Sequence, residues 1–222
     1  MGLADDTWNR PDSGPETRLP RTLAVAMFAG AVSGIAAKTA DQTQFDWLND
    51  LGTYPAIWML VVVAISCWFR TPLLAAAHAA TFYVVMVGGY YLYAHQILGF
   101  GIARDETIWF VAAVTIAPLA AAALNWASHT GHPASSIIPA VIAGMVLASG
   151  PLRQYLLYLQ DAVPEGVRLH PVQAIIDLAV AVTTIAVIPK TPTTRLIAAA
   201  LTIPATWLAP QLIQLATNLA YR

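Results

Sequence analysis

Long apolar stretches separated by short polar segments dominate the pattern along the chain. The uncharged runs are 22–37, 51–69, 71–103, 107–152, 178–189 and 196–221. A helix needs about 20 apolar residues to cross ~30 Å of hydrocarbon, so the run 107–152 is too long for one crossing. A polar segment that ends in Pro133 divides it. The pattern therefore predicts an all-α fold, a polytopic bundle of seven transmembrane helices. The predicted helices are 22–38, 54–70, 73–95, 107–127, 134–159, 171–188 and 194–220.

The first 20 residues differ from the rest of the chain, because acidic and basic side chains alternate there with prolines. This composition predicts a disordered tail over 1–20, followed by one helical domain over 21–222. With seven crossings, six basic residues lie on the side of the amino terminus and five on the other. The positive-inside rule then predicts a multi-pass protein of the cell membrane with a cytoplasmic amino terminus.

Composition excludes several classes of protein. Apolar residues make up 58% of the 222 and charged residues 10%, whereas about a quarter of a soluble domain is charged. The 11 basic and 12 acidic residues nearly cancel, so there is no basic surface to attract nucleic acid. The single cysteine excludes a disulfide framework. The expected partners are a lipid bilayer and a hydrophobic small molecule.

Acidic residues outside the tail concentrate at one face of the predicted bundle. Three connections, 39–53, 96–106 and 160–170, are predicted to meet there, and they carry Asp41, Asp46, Asp50, Asp105, Glu106, Asp161 and Glu165. Segment 39–53 has two interpretations. It is either a solvated loop anchored by Trp47, or a short interfacial helix that caps a protected cavity.

Asp177 is the only acid well inside a predicted helix, 171–188. A carboxyl group at membrane depth is costly and normally faces a wet cavity or the interior of the bundle. We therefore expect a functional role for Asp177. The alternative is a structural contact, either an ion pair with Arg168 or Arg153 or a hydrogen bond with a helix hydroxyl.

Aromatic residues are also enriched toward the acidic face. Either they form a headgroup belt, or they line a pocket; a belt rings both interfaces, so the one-sided excess favours a pocket. The candidate pocket residues are Trp47, Tyr83, Tyr90, Tyr91, Trp109 and Tyr155. His129 and His132 lack further ligands, so no metal site is predicted. No nucleotide-binding motif is present, and no cofactor is expected.

Acids beside aromatic faces in an apolar cavity suit one particular reaction. A carboxylic acid protonates an alkene of a prenyl chain, and aromatic rings stabilise the resulting carbocation by ~0.5–2 kcal/mol per contact. A second group takes the final proton. The predicted function is a membrane-bound, metal-independent terpene cyclase that acts on a farnesyl-type chain of a small-molecule acceptor. The candidate acids are Asp41, Asp46, Glu106 and Asp177.

A resemblance points in the same direction. Gly30–Gly34, Asp41-Gln42 and Asn49–Thr53 resemble small actinobacterial multi-pass membrane proteins, in which a small-residue run is followed by a polar segment and an Asn-x-Leu/Gly-Thr turn. In size and helix number the chain also resembles bacterial membrane-bound terpene cyclases of indole diketopiperazine–terpene pathways, and more remotely fungal seven-helix meroterpenoid cyclases. That resemblance implies a buried Asp or Glu as the proton donor.

Two other classes of function remain open. A small-molecule transporter or vitamin-binding membrane subunit would place the polar 39–53 segment over a pocket with several converging hydrogen-bonding groups. A non-catalytic partner or immunity protein would have no cavity. A cyclase, in contrast, needs aromatic walls and an acid without a cationic partner.

Overall fold

In a computed structural model that describes residues 15–102, 105–148, 150–160 and 168–220, every regular element is helical. The α-helices are α1 (Pro15–Asp41), α2 (Asp46–Thr53), α3 (Trp58–Trp68), α4 (Pro72–Gln96), α5 (Glu106–Val114), α6 (Ile116–His129), α7 (Ile137–Leu147), α8 (Pro151–Tyr158), α9 (Pro171–Val187) and α10 (Pro192–Ala220). Two 3-10 turns, Pro55–Ile57 and Pro133–Ser136, precede α3 and α7. The predicted all-α class is confirmed.

Among the residues that the structure describes, three to five helices qualify as candidate membrane spans, compared with the seven predicted. Three helices are long and apolar enough to cross a bilayer, within Leu19–Asp41, Pro72–Gln96 and Glu106–His129. Two bent pairs, Asp46–Gly52 with Pro55–Trp68 and Pro133–Leu147 with Pro151–Tyr158, raise this number to five if each pair is one span. Helix α9 has 17 residues, fewer than the about 20 that a straight crossing needs. Seven spans are therefore not confirmed.

Proline and glycine account for breaks that the apolar pattern did not predict. The predicted helix 107–127 is divided at Thr115, between α5 and α6. Pro118 follows three residues later and has no N–H for the carbonyl of Val114. The predicted helix 134–159 is divided between α7 and α8, which meet at 56°. Gly150 has a φ of 115° there, and Pro151 begins the next helix.

The predicted tail also needs a correction. Helix α1 begins at Pro15, so residues 15–20 are helical and not part of a disordered segment. Residues 1–14 lie outside the described residues.

Helices α1 and α4 pack side by side and run in the same direction. Thr22 contacts His78 near their first turns, where the hydroxyl lies 2.9 Å from Nε2 of the imidazole. Lys38 contacts Tyr90 near their last turns. Gly34 lies between, and a side chain there would collide with the backbone of α4 at Met86 and Tyr90. Small residues thus allow close contact between the two longest helices of this half of the molecule.

Helices α3 and α6 are joined by a buried amide. Asn125 on α6 donates hydrogen bonds of 2.8 Å to the carbonyl of Ser66 and 2.6 Å to that of Phe69. The hydroxyl of Ser66 donates in turn to the carbonyl of Ala121 at 3.1 Å. These contacts satisfy carbonyl groups at the carboxyl end of α3, which have no partner within the helix.

Large apolar side chains cover much of the outer surface of the helices. Phe28, Trp68, Leu196 and Trp207 are each more than 70% exposed. Exposure of so many large apolar side chains to water is unfavourable, whereas contact with lipid is not. This outer surface is therefore typical of a protein in a membrane. The three long apolar helices and this surface together support a membrane protein.

Candidate functional site

A cavity of about 260 Å³ lies where α1 and α4 end and where α3 and α5 begin. Its walls come from both long helices, from α2, from the Pro55–Ile57 turn and from the start of α5. The lining residues are Gly34, Ala37, Gly52, Pro55, Trp58, Met86, Val87, Tyr90, Tyr91, Asp105 and Trp109. Within the predicted segment 39–53, residues 39–41 end α1 and Asp46–Thr53 forms the short helix α2, whose Gly52 lines the cavity.

Gly52 brings this short helix against the end of α1. A Cβ at this position would lie 2.7 Å from both the carbonyl oxygen of Ala37 and the amide nitrogen of Asp41. No side chain fits at that distance, so only glycine allows α2 to approach so closely. The same approach places Gly52 and Ala37 on one wall of the cavity.

Four aromatic residues from three helices form the other walls. Trp58 comes from α3, Tyr90 and Tyr91 from α4, and Trp109 from α5. The rings of Tyr90 and Tyr91 are 5.1 Å apart and meet edge to face. Such walls present both apolar surface and the negative faces of aromatic rings to a bound molecule.

A buried lysine lies directly beside the cavity. Lys38 is 7% exposed, and its ammonium group is 2.6 Å from the carboxylate of Asp41. It also lies 4.9 Å from the ring centre of Tyr90 and 4.8 Å from that of Phe100. Both rings are within the range of a cation–π interaction. We call Lys38, Asp41, Tyr90 and Phe100 the lysine cluster.

The lysine cluster is joined to the segment that connects α4 and α5. His95 has one ring nitrogen 2.9 Å from the carbonyl of Phe100 and the other 3.1 Å from the carboxylate of Glu106. The histidine thus holds Phe100 between the end of α4 and the start of α5. The lysine cluster therefore connects α1, α4 and this segment next to the cavity.

The acidic connections meet at one face, as predicted. Asp46 forms an ion pair of 2.7 Å with Arg168, which links segment 39–53 to the residues before α9. Lys38 and Phe100 link the same region to the connection after α4. Asp161 and Glu165 lie outside the described residues.

Three of the six predicted aromatic residues line the cavity, namely Tyr90, Tyr91 and Trp109. Tyr83 is buried in the core, and its hydroxyl donates to the backbone carbonyl of Trp58. Trp47 is 56% exposed. Tyr155 lies on α8 beside Tyr158, with ring centres 6.4 Å apart. These last three residues do not belong to the cavity wall.

The four predicted acids are not gathered around the cavity. Asp41 is connected to it through Tyr90, whose hydroxyl donates a 2.9 Å hydrogen bond to the Asp41 carboxylate. Glu106 lies next to Asp105 and contacts His95. The carboxylate of Asp46 is exposed at the surface. The expected clustering of these acids around a single pocket is therefore wrong for Asp46 and Asp177.

Asp177 lies in the interior, as its position in the sequence predicted. It is fully buried, accepts a hydrogen bond from the hydroxyl of Tyr54, and lies 3.4 Å from the amide nitrogen of Leu152. The predicted alternative partner Arg168 contacts Asp46 instead. Asp177 thus belongs to the contact between α9 and the residues that precede α3.

Among the aromatic and acidic residues of the wall, the sequence analysis missed Trp58 and Asp105, and it also missed the neighbouring Lys38. Trp58 begins α3 at the same end of the bundle as Trp109, so its position in a predicted span was a usable signal. Asp105 was among the acids of that face but was not selected. Lys38 carried no signal, because a lysine at the end of an apolar helix normally reaches the interface.

Among the described residues, no group of three or more His, Cys, Asp or Glu side chains is arranged to hold a metal ion.

Comparison with known proteins places the chain in a family. No curated protein and no solved structure matches it. A family model described as a family of unknown function, DUF6518, matches residues 13–219. This match covers nearly the whole chain, including every residue of the cavity wall, and the chain therefore belongs to the DUF6518 family.

Proposed function

We propose that this protein binds a small organic cation in the cavity at the end of α1 and α4 and transports it. One observation supports this most directly: four aromatic residues and the carboxylate-bearing Asp105 line the same cavity. Aromatic rings around a carboxylate are a general solution for binding an alkylammonium group, because the ring faces attract the charge and exclude water. This proposal belongs to the transporter class of the sequence-based alternatives.

The charges around the cavity favour a positive ligand. Of the described lining residues, Asp105 carries a carboxylate and none carries a basic side chain. Lys38 contacts the lining residue Tyr90, and its ion pair with Asp41 offsets its charge. The side chains that the structure describes in the cavity wall therefore carry one net negative charge.

The size of the cavity limits the ligand. Sites for drug-sized molecules measure about 300–1,000 Å³, and this cavity measures about 260 Å³. It suits a compact alkylammonium compound better than a vitamin. The polar groups of its wall are also few, since they comprise two tyrosine hydroxyls, two indole N–H groups and one carboxylate. A vitamin needs more converging hydrogen-bonding partners than this.

Terpene cyclisation is the second candidate, and the aromatic wall supports it, because the same rings stabilise a carbocation. The acids support it less. A proton donor must be a neutral carboxylic acid, and a neighbouring cation favours the ionised form. Asp41 has Lys38 at 2.6 Å, and the Asp46 carboxylate is exposed at the surface outside the cavity wall. Asp177 does not line the cavity.

A matched pair of probes tests the proposal. Choline and its uncharged isostere 3,3-dimethylbutan-1-ol have nearly the same shape, so their difference in affinity reports the charge. We expect the purified protein in nanodiscs to bind choline at least about tenfold more tightly by calorimetry, which is ~1.4 kcal/mol. Asp105→Asn should remove most of this preference. Uptake of labelled choline into proteoliposomes then tests transport.

Two results would reject the cation proposal. One is equal affinity for the two probes, and the other is no binding of either. A farnesylated indole acceptor is the matching test for the second candidate. If the protein converts it to a cyclic isomer, the cyclase is correct and the transporter is wrong.

A further inference from the structure

A second group of polar side chains lies between α2 and α9, outside the cavity. Asp50 and Gly52 are two residues apart, and so about 200° apart around a helix of 3.6 residues per turn. Gly52 lines the cavity, whereas the Asp50 carboxylate lies 2.8 Å from Nδ1 of His170. The short helix α2 therefore presents one side to the cavity and another to α9.

Polar contacts continue along α9 toward the interior. The amide of Gln173 donates to the backbone carbonyl of Asp50 at 3.3 Å. Asp177 follows one turn later and accepts a hydrogen bond from Tyr54. Positions 173 and 177 share one face of α9, and His170 is the N-cap residue of this helix. We call Asp50, Tyr54, His170, Gln173 and Asp177 the α2–α9 polar stripe.

The stripe extends from the surface to a fully buried carboxyl group. The side chain of His170 is 29% exposed, that of Asp50 is 7% exposed, and Asp177 is inaccessible. An ionisable group at such depth in an apolar bundle is costly to maintain and is normally associated with function. The imidazole of His170 at the exposed end is accessible to water and can both donate and accept hydrogen bonds.

We propose that the α2–α9 polar stripe is a proton-binding site centred on Asp177, and that its protonation controls the opening of the cavity. This rests on the proposed function, since the cavity is the ligand site that it controls. The structural basis is Tyr54. It bonds Asp177 on one side, and it directly precedes Pro55, which lines the cavity.

Protonation would act through the strength of the hydrogen bonds. A hydronium ion at the His170 end gives up a proton and leaves a water molecule, so that one O–H bond of hydronium breaks and one O–H bond forms on a carboxylate oxygen of Asp177. Hydrogen bonds to an ionised group are about twice as strong as those between neutral groups. The neutral acid therefore holds Tyr54 and the amide of Leu152 more weakly. The wall residue Pro55, which directly follows Tyr54, is then free to move, and the cavity opens.

Other ionisable groups lie on the elements that pack against α9. These are Asp46 and Asp50 on α2, Tyr54 before the 3-10 turn, Cys67 on α3, Arg153, Tyr155 and Tyr158 on α8, and Arg195 on α10, while α7 has none. Asp46 is the useful control among them. It is an aspartate of the same helix α2, but its carboxylate is 86% exposed.

Infrared spectroscopy tests the proton-binding site without any ligand. The carbonyl band of a protonated carboxylic acid should grow as the pH of the reconstituted protein is lowered. We expect Asp177→Asn to remove the buried part of this band and Asp46→Asn to keep it. Tyr54→Phe keeps the carboxyl group and removes a donor to its ionised form, so the midpoint of the band should shift to higher pH. A band unchanged in Asp177→Asn, or an unshifted midpoint in Tyr54→Phe, would overturn the site.

Spin labels test the coupling to the cavity. Exposed positions Trp47 on α2 and Leu92 on α4 would be replaced by cysteine in a Cys67→Ser background. We expect the distance between the labels to change between neutral and acid pH. In the Asp177→Asn variant the same distance should not depend on pH. A distance independent of pH in the otherwise unchanged protein would overturn the coupling. Neither measurement uses choline, so failure of the cation proposal leaves both results interpretable.

Discussion

The hydroxyl of Tyr90 and the ammonium of Lys38 converge on the same carboxylate oxygen of Asp41, at 2.9 Å and 2.6 Å. Tyr90 lines the cavity, whereas Lys38 and Asp41 belong to the last turn and a half of α1. One carboxylate thus orients a wall residue and balances a buried charge. The position of the Tyr90 ring depends on an ion pair that does not itself line the cavity.

Asp41→Asn should destabilise the protein clearly. The amide keeps the size of the side chain, but it leaves the Lys38 ammonium buried without its carboxylate. Breaking a fully buried ion pair costs about 3–5 kcal/mol. We expect about 2 kcal/mol here, because the Asp41 side chain is partly accessible. Thermal unfolding of the purified protein in detergent measures this change.

Gln42→Ala is the control for this variant, because Gln42 is an exposed side chain that donates to the same carboxylate at 3.1 Å. Its loss should change the free energy of unfolding by less than about 0.5 kcal/mol. If Asp41→Asn and Gln42→Ala lowered the free energy of unfolding equally, the ion pair between Lys38 and Asp41 would not contribute to stability as expected.

Gly34→Ala should disrupt the contact between α1 and α4. The added methyl group collides with backbone atoms at Met86 and Tyr90, and backbone cannot turn away as a flexible side chain does. Overpacking of this kind costs about 1–3 kcal/mol. Gly88→Ala is the matched control on α4, since an added Cβ there has nothing within 4 Å.

We expect Gly34→Ala to lower the midpoint of thermal unfolding and Gly88→Ala to leave it unchanged or raise it. Alanine is favoured over glycine inside a helix by up to ~1 kcal/mol, so Gly88→Ala should be neutral or stabilising. The midpoint of thermal unfolding gives both values. If Gly34→Ala also raised the midpoint, the close contact of α1 with α4 would be wrong.

The sequence predicted the helical class of the fold, but it did not predict where the apolar helices break. Composition and apolar runs identify these helices, because a helix surrounded by lipid or by other helices is apolar on all sides and has few polar residues along its length. They do not locate breaks such as the one at Thr115, which depends on a proline three residues later. The sequence is equally apolar on both sides of such a break. Two short helices therefore have the same sequence pattern as one membrane span.

The site was predicted in part for a similar reason. Tyr90, Tyr91 and Trp109 were identified because they share one end of their helices. Asp177 was predicted to be buried, and it is, but sequence position gives depth and not direction. Which neighbour a buried carboxyl group contacts depends on how α9 rotates against α2. That rotation is set by tertiary contacts such as Tyr54 with Asp177.

Asn125→Ala should separate the ends of α3 and α6. The side-chain amide is the donor to the carbonyls of both Ser66 and Phe69. A buried carbonyl left without a donor costs about 1–3 kcal/mol, so we expect a loss of ~2–3 kcal/mol. Ser128→Ala, which removes one hydroxyl from the same helix, should have a much smaller effect. Chemical unfolding followed by far-ultraviolet circular dichroism compares them.

Arg168→Ala should leave stability almost unchanged. Arg168 and Asp46 are joined at 2.7 Å, but their side chains are 60% and 86% exposed. Exposed ion pairs contribute about 0–1 kcal/mol, and salt screens them. We expect an effect below ~0.5 kcal/mol that vanishes at high ionic strength. A large loss that persists in high salt would mean that Arg168 has a structural role beyond this ion pair.

Trp109→Leu should weaken binding of choline while leaving the fold intact. Leucine keeps an apolar contact in the wall but removes the ring face that attracts the cation. A cation–π contact contributes about 0.5–2 kcal/mol, so the dissociation constant should rise by about tenfold. Trp126→Leu is a matched control, because Trp126 and Trp109 are similarly exposed, 44% and 40%, while Trp126 lies at the opposite end of the α5–α6 pair. Calorimetry with both probes separates charge from shape: Trp109→Leu should reduce the affinity for choline more than that for 3,3-dimethylbutan-1-ol. Equal losses for the two compounds would mean that Trp109 contributes apolar surface alone, and that the ligand of this cavity need not be a cation.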